Sequence, residues 1–385
     1  MKMRKKCIRN GILVCVMASL MLMTAGCNET EPMSTGMSNT GTVADTTELQ
    51  TEEQTQPEQT EPVTEVVTTE ETVTTEEIST VYNPLTGEYG YNEDAVGKRP
   101  VAVMINNIDL SLPQYGIGSA DYIYEVVVEG GITRLMAVFA DYTSVPDLCS
   151  IRSCRYYYPI IAHGLDAIYC HWGADQTIAQ ETLDRLDIDR FDGGSSTYYD
   201  WLFLNDEQRL LEYSSEHTGY LKGSALAEAI EYAGYRTDMR NGAKDAFVFA
   251  EGDEVTTFEG APCTMFDVIF SESYYSTFTY DEENKTYKKQ HSGDPHMDSA
   301  TDEQLSFTNV FVLETSVSMR GVGELMDVAL EGGTGYYISG GKSMQINWTK
   351  PAENENFVIT DLSGQPITVN RGKCYFGITD KVEFF

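Results

Sequence analysis

Two arginines three residues apart, followed by three consecutive tyrosines, stand in the stretch Cys-Ser-Ile-Arg-Ser-Cys-Arg-Tyr-Tyr-Tyr at 149–158 of a chain whose formal net charge is −34. A guanidinium presents a planar fork of donors that grips a carboxylate or phosphate through two bonds. Tyr156, Tyr157 and Tyr158 add aromatic faces with hydroxyl tips, a composition suited to sugars or peptides. If Ser153 caps a helix, Arg155 falls in its first turn, where unpaired N–H groups and the helix dipole already favour an anion. Arg152 would flank the same end. Together with Arg134 and His171, the residues Arg152, Arg155 and Tyr156 make a candidate cleft for an anionic ligand. Arginines in so acidic a chain also serve simply to neutralise nearby acids, such as Asp141 or Asp147, and fasten a loop. Both readings stay open on these residues alone.

Catalysis has weaker local support. His171 ends the apolar run Asp-Ala-Ile-Tyr-Cys-His at 166–171, with Asp175 four residues on, and His217 follows later. Either is a possible general acid or base for a wall-modifying reaction, with Glu125 or Glu129 assisting. His296 with Asp298 offers a similar pair. No His-Glu-x-x-His, no Gly-x-Ser-x-Gly elbow and no papain-like cysteine motif accompanies them. Gly-Gly-Lys-Ser at 340–343 is not a phosphate loop, because Tyr336 stands where that motif needs glycine and an alternating strand follows. Residues 281–286 lack the ligand spacing of a calcium loop. No metal ligand set and no cofactor is expected. Cys149 and Cys154 could close a local disulfide if the backbone turns between them.

The elements that would carry these groups are legible in outline. Residues 98–106 and 120–141 read as strands rich in Val, Ile and Tyr, with Gly130-Gly131 as the turn of a hairpin. Helices are expected around 153–164, at 178–186 and at 224–234, the last with Ser224 as N-cap and Gly234 past its end. After about 245 the pattern becomes short alternating strands and turns, including hairpins over 277–290 and 335–348. The order of elements predicts an α+β fold, a layered mixed α/β sandwich with an α/β region over 82–245 and a β-rich region over 246–385 packed on it.

The first 27 residues carry five basic side chains, an apolar run too short to span a bilayer comfortably, and Thr24-Ala25-Gly26-Cys27. This is a signal peptide whose end resembles a bacterial lipobox, so Cys27 is expected to be lipidated and to anchor the chain on the extracytoplasmic face of a cell membrane. Residues 28–81 hold thirteen acidic and no basic residues with little apolar surface, which predicts a disordered tether. Beyond it 47 acidic residues face 21 basic ones, which argues against nucleic acid as a partner. A cell-wall polymer or an envelope protein is the expected partner.

Several motifs carry a family resemblance. Asn-Pro-Leu-Thr-Gly at 83–87, Arg-Pro-Val-Ala-Val-Met-Ile-Asn-Asn at 99–107, residues 120–139, Ile-Arg-Ser-Cys-Arg at 151–155, residues 166–173, 293–314 and 333–350 occur in the order seen in the YerB family of bacterial lipoproteins, a family of unknown function. The resemblance spans nearly all of 83–385. It implies a lipid anchor and a layered α/β sandwich, and it implies no catalytic activity. Where relatives tend to read Gly-Pro-x-Arg-Ser-Ala-Arg, this chain keeps both arginines and adds Cys149 and Cys154; where they often read Pro-His-Asn-Leu-Tyr, it keeps His217 and loses the asparagine. Three functions therefore compete: binding of an envelope component, wall modification, and a protein-docking scaffold.

Overall fold

The computed structural model describes residues 80–240, 245–321 and 325–385. Cys27, the signal segment and nearly all of 28–81 lie outside the described residues. The central strands are β1 (Val101–Asn106), β2 (Tyr122–Val127), β3 (Thr133–Phe139), β4 (Ile168–His171) and β5 (Arg190–Asp192). Every residue of β1 to β4 is buried. Continuous burial, rather than alternation, is what strands covered on both faces require.

Later strands extend the same sheet. They are β6 (Ala261–Pro262), β10 (Asn309–Glu314), β11 (Gly332–Ser339), β12 (Lys342–Thr349) and β13 (Cys374–Thr379), preceded in part by β7 (Met265–Ile269), β8 (Tyr275–Asp281) and β9 (Thr286–His291), which belong elsewhere. The large sheet runs β6-β12-β11-β10-β13-β2-β3-β1-β4-β5, with a short strand beside β12. β13 lies between β10 and β2 and is parallel to both, so the two halves of the chain share one sheet. A second sheet contains β9-β8-β7 and the terminal strand β14 (Lys381–Phe384).

Helices cover one face and the second sheet covers the other. Tyr157 and Tyr158 of α1 (Tyr157–Gly164) donate hydroxyl bonds to the carbonyls of Val127 and Val126 on β2. On the opposite face Ser276 of β8 donates to Glu125 of β2 at 2.9 Å. Gly377 of β13 permits that close packing, since a Cβ there would lie 2.7 Å from Val268 Cγ1 of β7. The α+β sandwich expected from the sequence is the fold observed.

Both later helices form where their periodicity puts them, α2 at Ile178–Leu186 and α3 at Leu226–Ala233, with Gly234 left-handed after the latter at φ 67°. Two caps differ from expectation. The first helix begins at Tyr157, not Ser153, because 151–154 is extended and paired: Ile151 bridges Ile105, and Cys154 bridges Ala174. Pro159 therefore sits in the first turn, where its missing N–H costs nothing. Ser224 lies inside the 3-10 turn Gly223–Ala225 that precedes α3 and does not cap it.

The same extended segment rules out a bridge between Cys149 and Cys154. Five residues of extended chain cover roughly 16 Å, whereas a disulfide needs Cα atoms within about 7 Å. All five described cysteines are free and buried, and burial pushes the Cys149 and Cys154 thiols up to about 12.

Candidate functional site

β1, β2, β4 and β13 all point the same way, since β1 and β2 are each antiparallel to β3 while β4 and β13 are parallel to β1 and β2. Their carboxyl ends therefore gather at one edge of the sheet, the place where open α/β sheets usually present a binding crevice. Arg134, second residue of β3, lies at that edge in register with Asn106, the last of β1. The residue is 5 % exposed, and its guanidinium donates from Nη1 to the Ser153 carbonyl at 2.6 Å. No carboxylate among the described residues lies within ion-pair distance of it. Burial, with the Arg155 guanidinium nearby, lowers its pKa to about 10, so the group stays charged at neutral pH.

Arg155 is held from two sides. Its Nε donates to both Glu129 oxygens at 2.9 and 2.8 Å, its Nη2 also meets Glu129, and Nη1 donates to the Cys154 carbonyl at 2.7 Å and to Ser153 Oγ at 3.3 Å. Burial works against the Glu129 charge, but the Arg155 bonds outweigh it and hold the carboxyl below its ordinary range. Arg152 pairs with Glu216 at 2.9 Å near the surface. Next to it Asn106 Nδ2 donates to His217 Nδ1 at 3.2 Å, which leaves the His217 proton on Nε2, 3.6 Å from Glu216. The acids that meet these arginines are thus Glu129 and Glu216. Asp141 and Asp147 are occupied elsewhere, by Thr143 and Asn92 and by Gly223 and Tyr220.

His171 and Tyr156 do not join this set. His171 is buried at the end of β4, donates from Nδ1 to the Gly173 carbonyl at 3.0 Å, and stacks on Tyr169 with ring centres 5.3 Å apart. Its Nε2 has no hydrogen-bond partner. Asp175, its nearest acid in sequence, accepts the N–H groups of Ile178 and Ala179 at the start of α2 instead. Tyr156 turns toward a 590 Å³ cleft shared with Arg320 and Asp327, and its hydroxyl donates to Asp327 at 2.8 Å.

The opposite face of the same edge brings Glu125 and His296 together with a lysine that the sequence reading did not single out, Lys289. Glu125 on β2 accepts from Asn107, Thr133, Ser276 and Tyr375, and Lys289 Nζ lies 3.2 Å from it with neither side chain more than 1 % exposed. Burial opposes the Glu125 charge, and Lys289 together with these donors overcomes it, so the carboxyl stays below its usual range. The lysine passes a proton bond on: Nζ donates to His296 Nδ1 at 2.9 Å, His296 Nε2 donates to Gln114 Oε1 at 2.7 Å, and Gln114 donates to the Asn106 carbonyl at 2.9 Å. Burial first and the Lys289 charge second keep His296 neutral. A period-two reading of Tyr287-Lys288-Lys289-Gln290-His291 would have turned Tyr287, Lys289 and His291 inward together.

The arginine cluster lies wholly in the first half of the chain and the Glu125–Lys289 cluster draws on both halves, and the family's two domains divide between those halves. The N-terminal domain of the protein of unknown function DUF3048 matches residues 85–236, and the C-terminal domain of that family matches 266–376. A Bacillus subtilis (strain 168) protein, "Putative lipoprotein YerB", is 26% identical over 272 residues, which is 69% of this chain and 77% of that protein. The chain belongs to the YerB family. The crystal structure of Bacillus subtilis YerB superposes with a TM-score of 0.68 at 23% identity, covering 79% of this chain and 99% of that one, and so shares the fold. In this YerB-family chain Glu125, Asn107 and Gln114 come from the first family domain, and Lys289, His291, His296 and Tyr375 from the second. The buried ion pair is therefore a tie between the two.

Proposed function

We propose that this chain is a lipid-anchored protein of the extracytoplasmic membrane face that binds an anionic component of the cell envelope at the carboxyl edge of its central sheet. The observation that carries the proposal is Arg134: a buried guanidinium without a carboxylate partner, beside a second arginine. Glu129 attracts Arg134 only from beyond ion-pair distance; a buried charge without a direct carboxylate partner among the described residues is costly, and a site that retains one has a use for an incoming anion. The forked donors suit a carboxylate or a phosphate, as wall polymers present. Catalysis has less support, since His171 meets only a backbone carbonyl, and Glu216 near His217 is already held by Arg152.

Replacing Arg134 by methionine should weaken binding of purified wall fragments by at least about tenfold while costing no more than about 1–3 kcal/mol of stability, the loss of its bond to the Ser153 carbonyl. Co-sedimentation and urea titration on the same preparations read both quantities. A variant that loses stability and keeps the parent's binding makes Arg134 structural. If the parent retains a membrane protein but no wall fragment, the docking scaffold is the better description.

The anchor has its own check. Cys27→Ala should move the protein out of the membrane fraction or leave it uncleaved, and mass spectrometry of the mature parent should find Cys27 acylated. An unmodified mature Cys27 would remove the anchor from the proposal.

A further inference from the structure

The anion site just proposed already contains an anion. Arg134 and Arg155 are both fastened to Ser153, the first through its carbonyl and the second through its hydroxyl, so the two guanidinium groups share one footing. Arg155 keeps a further bond to the Cys154 carbonyl, which holds it in place from behind. Glu129 occupies the front, with both oxygens on Arg155. Among these three side chains it is the most accessible, at 27 % against 11 % for Arg155. It also opens the turn Glu129–Gly131 between β2 and β3, whose Gly130 and Gly131 have φ of 70° and 74°. A Cβ on Gly130 would meet nothing within 4 Å, whereas one on Gly131 would lie 3.0 Å from Ser271 Cβ, so the turn is open on the side of Gly130, next to Glu129, and packed on the other. The acid thus stands on the movable side of the pair and the arginines on the fixed side.

We propose that Glu129 is a built-in surrogate for the ligand, holding the Arg155 fork until an external carboxylate or phosphate displaces it and bridges Arg155 and Arg134. This rests on the anion-binding reading above and adds a selectivity device to it. Displacement requires the incoming group to outcompete an intramolecular carboxylate. Weak monovalent anions in the medium fail, whereas a doubly charged or polyvalent ligand, which matches two guanidinium charges, succeeds.

The test uses the full chain in detergent micelles with ¹⁵N-labelled arginine, titrated separately with inorganic phosphate and with acetate while the Arg134 and Arg155 Nε–H signals are followed. Glu129→Gln, which keeps the shape and removes the charge, should tighten phosphate binding by about 5–10-fold and move both arginine signals at lower phosphate than in the parent. Glu129→Ala should do the same if the glutamine variant folds poorly. Adding Arg134→Met to Glu129→Gln should abolish the gain. Phosphate should bind more strongly than acetate in the parent, and acetate binding as well as or better than phosphate would overturn the selectivity assigned to Glu129. If the parent binds phosphate and Glu129→Gln binds it equally or less well, Glu129 is part of the site and the surrogate is wrong. If neither anion shifts either arginine in parent or variant, the anion-binding reading itself fails and takes the surrogate with it.

Discussion

Replacing Lys289 by methionine should lower the free energy of unfolding by about 3–5 kcal/mol, the usual cost of removing one partner from a buried ion pair. Glu125 would keep its bonds from Asn107, Thr133, Ser276 and Tyr375, yet lose the only cation within ion-pair distance among the described residues. It would have to protonate or hold an uncompensated charge at 1 % exposure. His296 would also lose the proton bond at its Nδ1. The exposed Arg152–Glu216 pair supplies the contrast, because Arg152→Met should cost no more than about 1 kcal/mol. Urea titration with an unchanged slope measures both. Adding Glu125→Gln to Lys289→Met should recover part of the loss, since the stranded charge is then gone. A Lys289→Met chain within about 1 kcal/mol of the parent would mean that the pair does not tie the two family domains together.

Acid should weaken the fold above the usual range of carboxylate titration. Burial holds His171, His291 and His296 below the ordinary histidine value, so each is neutral in the folded chain near neutral pH. His296 faces Lys289, His291 and Gln114; His291 faces Lys289, Glu125, Asp109 and the Tyr274 ring; His171 faces Tyr169, with Asp192 and Arg190 further off. The unfolded chain takes up these protons at about pH 6.5. A depressed histidine therefore contributes its full stability above that pH and loses it as the pH falls toward the folded value. His296 alone removes about 2 kcal/mol between pH 6.5 and 5. Asp121 works the other way: burial raises it to about 6, so the folded chain takes up that proton first. It returns part of that loss, roughly 1 kcal/mol, by pH 5. With His171 and His291 added, stability should fall from pH 7 to 5, and His296→Gln should flatten the curve. A urea midpoint that holds or rises over that interval contradicts the buried neutral histidines.

Local rules were enough to find the architecture and too little to find the site. Hairpins with Gly130-Gly131 and Gly340-Gly341, the strand ending at His171 and the 178–186 helix are all set by spacing within a short window, and all stand where that spacing puts them. Ser153 caps no helix because its neighbours are paired at long range, Arg152 N–H with the Met104 carbonyl and Cys154 N–H with the Gly173 carbonyl, and such pairing outweighs a local propensity. Arg134, Arg152 and Arg155 stood out by charge and do converge. Lys289 did not stand out, because a lysine in a strand reads as a solvent-facing residue until the strand that buries it is known. Its counter-ion lies 164 positions away, and nothing in either neighbourhood announces the other.

The place of β13 has a consequence for how the protein is made. This strand, residues 374–379 of 385, fills the gap between β10 and β2. Until it emerges, β2 presents an unpaired apolar edge, and the first family domain has no outer neighbour on that side. Synthesis from the N-terminus cannot therefore finish the first half before the last is delivered, and pairing across some 250 residues is slow. The first half therefore stays open along the β2 edge, and extensible there, until residues 374–379 have emerged.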